Sequence, residues 1–249
     1  LVIKVIVSLI SPINPIYIIL LKQIQDYLLL KMGLVILNFK AYKEASGVNA
    51  ENLGKICKES KEATGVQIIV APQTVDILKT SPLIETIAQH ADPNPAGSGT
   101  GSNLVEALKQ AGAIGTILNH SERRIPHMQI GATIQRLKEN EMISVVCAQD
   151  DEEAKALAEF SPDYIAVEPP ELIGSGISVS EAKPEVVTKT VENIKQVNPE
   201  VKVLCGAGIS NGSDVKKAIE LGVEGVLLAS AFTKSADPRA VLLDICGGL

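Results

Sequence analysis

Short runs of valine, isoleucine and leucine recur along most of the chain, separated by segments in which apolar positions repeat at helical spacing. The runs are Leu34 to Leu37, Val66 to Val70, Glu85 to Gln89, Gly115 to Leu118, Met142 to Cys147, Asp163 to Val167, Val201 to Cys205 and Gly225 to Leu228. Their apolarity is nearly continuous instead of alternating, as a parallel strand covered on both faces requires. Helices are predicted over Glu51 to Thr64, Ser102 to Gly112, Gln129 to Asn140, Asp151 to Phe160, Pro184 to Val197, Ser213 to Leu221 and Asp237 to Ile245, with a shorter one after Pro72. Leu104, Ala107 and Leu108 share one stripe. Acid at Asp150 to Glu153, and Ser213-Asp214, mark helix starts. Eight strands alternating with eight helices predict an α/β fold, a compact (β/α)8 barrel. A doubly wound open sheet is the alternative. Gly206-Ala207-Gly208 gives it little support, because the third glycine of a dinucleotide turn is missing.

The pattern does not extend to the N-terminus. Residues 1–32 hold no glycine and only four charged residues, Lys4, Lys22, Asp26 and Lys31. Val5 to Leu21 is an uncharged stretch of 17 residues, at the lower limit for a membrane span, and Pro12, Asn14 and Pro15 interrupt it. No small-residue cleavage site follows it, as a signal peptide would need. Residues 1–31 are therefore expected to lie outside the functional fold, with 32–249 as the barrel domain. The segment is read as an upstream extension of the reading frame, an anchor, or a packed structural piece.

Composition narrows the function. The net charge is -6, with 23 basic against 29 acidic residues, which argues against a nucleic-acid partner, since that affinity rests on Lys and Arg. A small anionic substrate needs only local donors. Cys57, Cys147, Cys205 and Cys246 form no CxxC pair, so buried thiols in a reducing compartment are expected.

In a barrel, chemistry sits at the C-terminal ends of the strands. The first strand ends in Asn38-Phe39-Lys40, where a lone lysine is ordinarily a solvated end. The fourth ends in Asn119-His120-Ser121-Glu122-Arg123-Arg124. A helix N-terminus there would depress the His120 pKa and leave a neutral donor; a hydrogen-bonded structural histidine is the plainer reading. Arg123 and Arg124 read as ion-pair anchors. The sixth strand runs into Glu168, a carboxylate that burial penalises unless it is paired or used. Pro169 to Gly176 reads either as a lid or as an ordinary loop. The seventh and eighth strands end in Cys205-Gly206-Ala207-Gly208-Ile209-Ser210 and Leu228-Ala229-Ser230-Ala231, small residues that let backbone N–H groups approach a phosphate.

In this order, the Asn38-x-Lys40 pair, the Asn119 to Arg124 run, Val167 to Gly176 and Cys205 to Ser210 resemble the motifs of the triosephosphate isomerases, in particular their archaeal branch. The resemblance spans Leu34 to the C-terminus. It implies a TIM barrel that interconverts dihydroxyacetone phosphate and D-glyceraldehyde 3-phosphate, in the cytoplasm, within glycolysis and gluconeogenesis. By position it makes Glu168 the base and His120 the neutral electrophile, the pairing known for that family. Lys40 becomes the electrostatic partner of the reaction, Asn38 a donor, and Glu122 the partner of Lys40. The backbone of Gly174, Gly208, Ala229 and Ser230 would hold the phosphate. Thr100 of one chain would support Asn38 and Lys40 of another, in a homo-oligomer that is a dimer or a tetramer.

No metal or organic cofactor is implied, and neither nucleic acid nor membrane is expected as a partner. Two departures stand out. The chain has no tryptophan for the lid that bacterial and eukaryotic members carry, and Ala229-Ser230 replaces a glycine pair. The alternatives are another phosphosugar isomerase or epimerase barrel, or a non-catalytic phosphate-binding barrel tethered through its N-terminal segment. A metal-dependent epimerase would want clustered His and Asp ligands. The set of Glu168, His120 and Lys40 argues against a barrel without turnover.

Overall fold

The computed structural model describes residues 33–168 and 184–249, and Leu34–Leu249 group as one unit. Among the described residues seven parallel strands form one sheet: β1 (Leu34–Asn38), β2 (Gln67–Ala71), β3 (Gly115–Leu118), β4 (Ile143–Ala148), β5 (Tyr164–Val167), β6 (Lys202–Cys205) and β7 (Gly225–Leu228). They lie in the order β2-β1-β7-β6-β5-β4-β3. The remaining expected strand, Glu85 to Gln89, closes the ring obliquely. Its first half bonds to β2, with Val70 N–H to Glu85 O at 3.0 Å and Ile87 N–H to Val70 O at 2.8 Å. Its second half bonds to β3, with Ala88 N–H to Gly115 O at 2.9 Å and Ile117 N–H to Ala88 O at 2.8 Å. Each neighbour receives a single bridge, at Thr86 and Ala88, which is why no continuous ladder forms there. The architecture is a (β/α)8 barrel.

Continuous apolarity in the strands has the structural consequence expected of it. Side chains alternate between two shells, since successive Cβ atoms point to opposite faces. Leu34, Ile36, Ile69, Ile87, Ile117, Val145, Cys147, Leu204 and Leu227 fill the barrel interior, whereas Val35, Leu37, Ile68, Val70, Val146 and Val203 face the helices. Both faces are therefore dry, and every residue of β1, β3 and β7 is buried. All four cysteines are free and buried.

The helices are α1 (Val48–Thr64), α2 (Ile77–Thr80), α3 (Val105–Gln110), α4 (His127–Glu139), α5 (Asp151–Ala158), α6 (Pro184–Val197), α7 (Gly212–Glu220), α8 (Ser230–Thr233) and α9 (Pro238–Gly247). Asp150 caps α5 as expected, its side chain accepting from Glu153 N–H at 2.8 Å. The start of α7 differs from the sequence reading. Asn211 is its cap, accepting from Asp214 N–H at 3.0 Å, while Ser213 already lies inside the helix. The four-residue α8 was not anticipated; it is too short to show a period. Among the described residues no helix is long and apolar enough to cross a membrane, and the apolar run from Val5 to Leu21 lies outside them.

Strand pairing leaves no room for a side chain at Gly225, the first residue of β7. A Cβ there would strike the carbonyl oxygen of Leu34, its partner on β1. Gly225→Ala must push apart a pair on which closure depends, and is expected to destabilise the barrel by about 1–3 kcal/mol. Urea unfolding measures this. A change below about 0.5 kcal/mol, the range of neutral surface substitutions, would show that the strands relax at this position without penalty.

Candidate active site

Glu168 follows β5 directly and extends its pairing, since its N–H donates to Ala148 O at 2.8 Å. It is 2% exposed. The side chain lies over Gly206, at the end of β6, and this glycine permits it: a Cβ at Gly206 would sit 2.9 Å from Glu168 Cγ and 3.0 Å from Val167 O. A buried carboxylate needs donors. Glu168 Oε2 accepts from the Ser121 N–H at 3.1 Å, and Oε1 lies 3.2 Å from His120 Nε2. The Cys147 thiol is beneath it in the barrel interior. Burial first, and then the Glu168 charge, push that thiol well up, so it stays protonated.

His120 stands at the end of β3, in the turn that carries Ser121. The backbone N–H of Glu122 donates to His120 Nδ1 at 3.1 Å. Nδ1 is therefore an acceptor, and the neutral ring carries its proton on Nε2, the nitrogen facing Glu168. The ring pKa lies below its ordinary value of 6.5, chiefly because of burial; Glu168 opposes this and Lys40 assists it. The direction agrees with the sequence reading but the cause does not. No helix begins at His120, because α4 starts only at His127.

Lys40 is the third member. Its Nζ lies 2.8 Å from Glu122 Oε1, the expected pair. Asn38 is 4% exposed and accepts the Lys40 N–H on Oδ1 at 2.9 Å. Arg124 is an anchor as read, pairing with Glu153 at 3.0 Å and donating to Asn119 O at 3.1 Å. Thr100 lies exposed at the tip of the loop that begins at Asp92. Gly174 and the expected lid from Pro169 to Gly176 lie outside the described residues.

A cleft of 280 Å³ opens at the C-terminal mouth of the barrel. Lys40, His120 and Glu168 line it together with Gly208, Ala229 and Ser230. Ala229 and Ser230 begin α8. Their N–H groups, like all first-turn donors, have no acceptor within the helix and are available to an anion. Sequence reasoning assigned nothing to the Ser121 N–H, although Ser121 sits inside a motif it quoted. Among the described residues no cluster of metal-ligating composition occurs.

Fold and cleft together make this a barrel protein in which a buried carboxylate and an imidazole face each other at the strand C-terminal ends. The triosephosphate isomerase family model matches residues 33–248, and the chain belongs to that family. Relatives agree. The chain is 54% identical to a triosephosphate isomerase of Methanothermus fervidus over 214 residues, 85% of this chain and 96% of that protein. It is 50% identical to one of Methanothermobacter thermautotrophicus over 225 residues, 90% and 98% of the two chains. It is 51% identical to one of Methanobacterium bryantii over 214 residues, 85% and 95%. All three sources are archaeal, as the motifs suggested.

The lowered His120 pKa has a definite sign in stability. The unfolded chain takes up this proton first as pH falls, so stability declines from about pH 6.5 downward and levels off once the folded ring is also protonated. Above that window the ring contributes no pH dependence. In imidazole NMR the His120 midpoint is expected below 6.5. A midpoint at or above that value would mean a charged ring beside Glu168 near neutrality.

Proposed function

We propose that the cleft interconverts dihydroxyacetone phosphate and D-glyceraldehyde 3-phosphate by moving one proton between adjacent carbons. The observation that carries this is the facing pair at the mouth: a buried carboxylate 3.2 Å from an imidazole nitrogen that holds a proton while the ring is neutral. Glu168 removes the proton from the carbon next to the carbonyl. Charge then develops on the oxygens of an enediolate, and the donors aimed there are His120 Nε2–H, Lys40 Nζ and the Asn38 amide. Glu168 returns the proton to the neighbouring carbon, while the hydroxyl proton passes from one enediolate oxygen to the other, His120 giving its Nε2 proton to the one and taking up that of the other. The N–H groups of Gly208, Ala229 and Ser230 hold the phosphate; Gly174, to which the family resemblance gives the same role, lies outside the described residues. The catalytic domain is residues 32–249, a reading supported by the family match from residue 33 onward. The site of action is the cytoplasm, which suits four buried unpaired thiols.

Turnover of glyceraldehyde 3-phosphate, coupled to reduction of the dihydroxyacetone phosphate formed, tests the activity directly. Glu168→Gln is expected to lower it by about 10²- to 10⁴-fold or more, while phosphoglycolate, an anion shaped like the intermediate, still binds in calorimetry. A variant that keeps a tenth of the turnover identifies some other residue as the base.

The second part of the proposal is a homo-oligomer, dimer or tetramer, in which Thr100 of one chain supports Asn38 and Lys40 of another. The loop is tied at its base, where Asp92 Oδ2 accepts from Asn103 N–H at 2.7 Å and Oδ1 lies 3.0 Å from His90 Nε2. Residues 95–101 are exposed beyond that tie. Beside Lys40 a recess of 250 Å³, lined by Asn38, Gln73, Gln89 and Asn103 among others, is open to receive such a tip. Thr100→Arg is expected to split the oligomer and reduce turnover together. A fully active monomer in light scattering at assay concentration would refute the cross-subunit role.

A further inference from the structure

Lys40 has a φ of 47°, a region that residues other than glycine, asparagine and aspartate seldom enter. Such a conformation persists only where the surroundings impose it. Asn38 takes the Lys40 N–H, and Glu122 meets the ammonium. The carbonyl has two further partners that neither motif nor mechanism has used. Gln89 Nε2 donates to Lys40 O at 2.9 Å, and Gln73 Nε2 donates to the same oxygen at 3.2 Å.

The two amides arrive from different parts of the barrel. Gln73 follows β2. Gln89 sits on the oblique segment that closes the ring, and its second hydrogen goes to Ala71 O at 2.9 Å, at the end of β2. The Ala71 oxygen also accepts the Phe39 N–H at 3.0 Å. Both sides of the Lys40 peptide are thus fastened to three successive positions around the mouth, while its side chain remains 18% exposed toward the cleft.

We infer that Gln73 and Gln89 are positioning residues for the isomerisation: together they clamp the Lys40 carbonyl and so fix the direction in which the ammonium enters the cleft. The inference rests on the proposed role of Lys40 toward the developing oxyanion. It adds a specific claim, that these amides act on the reaction only through Lys40. A backbone free to leave φ 47° would swing the ammonium away from the oxyanion position and leave the fold standing. Displacement of a charged donor by about 1 Å is enough for losses near 100-fold.

Gln73→Met and Gln89→Met keep side-chain length and remove the donors. Each is made in the natural chain and in Lys40→Met, and turnover and calorimetric affinity for phosphoglycolate are measured for all. In the natural chain Gln73→Met is expected to lower turnover about tenfold and Gln89→Met up to about 100-fold, with weaker phosphoglycolate binding. In the Lys40→Met chain neither substitution lowers either quantity further, because no ammonium remains to be misdirected. Equal losses in both backgrounds would overturn the proposal and make the amides structural, as would no loss in the natural chain. If Gln89→Met does not fold, Gln73→Met decides by the same comparison. If Lys40→Met itself leaves turnover and binding intact, the role of Lys40 fails and the clamp fails with it, an outcome distinct from additive losses on an impaired Lys40→Met.

Discussion

A carboxylate taken almost wholly out of water governs the arrangement of the mouth. Glu168 must lie at the end of a strand that is dry on both faces, and burial of an ion without donors is prohibitively unfavourable. The Ser121 N–H supplies one donor at 3.1 Å. That contact fixes the turn after β3, and the same turn orients His120, because the next N–H along, that of Glu122, occupies Nδ1. The imidazole tautomer is thus a by-product of the chain path that serves the carboxylate. Gly206 completes the constraint from the other side, since a side chain there would displace Glu168. A charged ring at His120 would lock the carboxylate into an ion pair; burial of the ring, aided by Lys40, opposes that state.

Lys40 could have been part of that charge balance by sitting against Glu168, and it does not. It pairs instead with Glu122, on the outer side of the same turn. The cation is kept at the cleft wall, near enough to lower the imidazole pKa and apart from the carboxylate. Phe39, next to it, is fully buried and stacks on Phe232, with ring centroids 6.3 Å apart. Lys234 lies 4.0 Å from the ring centroid of Tyr42. These two contacts join the loop after β1 to α8 and the residue that ends it.

Much of this was legible in the sequence, and the reasons for the rest are physical. Strands buried on both faces must be apolar throughout, so β1, β3 and β7 stand where the runs of Leu, Val and Ile put them. The segment from Glu85 to Gln89 holds one isoleucine among Thr, Ala and two polar ends, and it crosses between two neighbours; obliqueness itself has no signature in residue type. Asp150 was readable as a cap because the acid precedes its helix directly; Asn211 was passed over in favour of the Ser213-Asp214 pair two residues on. The three principal side chains were singled out by their positions at strand ends, but position alone left Lys40 a solvated end and His120 a structural residue, and only the resemblance of the motifs gave them roles. Gln73 and Gln89 were not singled out, because a neutral amide carries no pattern of its own and acquires a partner only when the ring closes. The pKa of His120 was anticipated in direction from a helix dipole, whereas the turn is not helical and desolvation does the work.

The two apolar shells described above meet only across the strand backbone, the inner one holding Ile36, Ile117 and Leu204, the outer one Val35, Leu118 and Val203. The sheet is therefore a bulkhead. Repacking of α1, α4 or α7 against the outer shell meets the strand backbone before any side chain of the inner shell. Cys147, the neutral floor under Glu168, belongs to the inner compartment. Helix surfaces can accordingly drift through descent, taking on new charges, new contacts and new partners, while the chamber behind them keeps its shape.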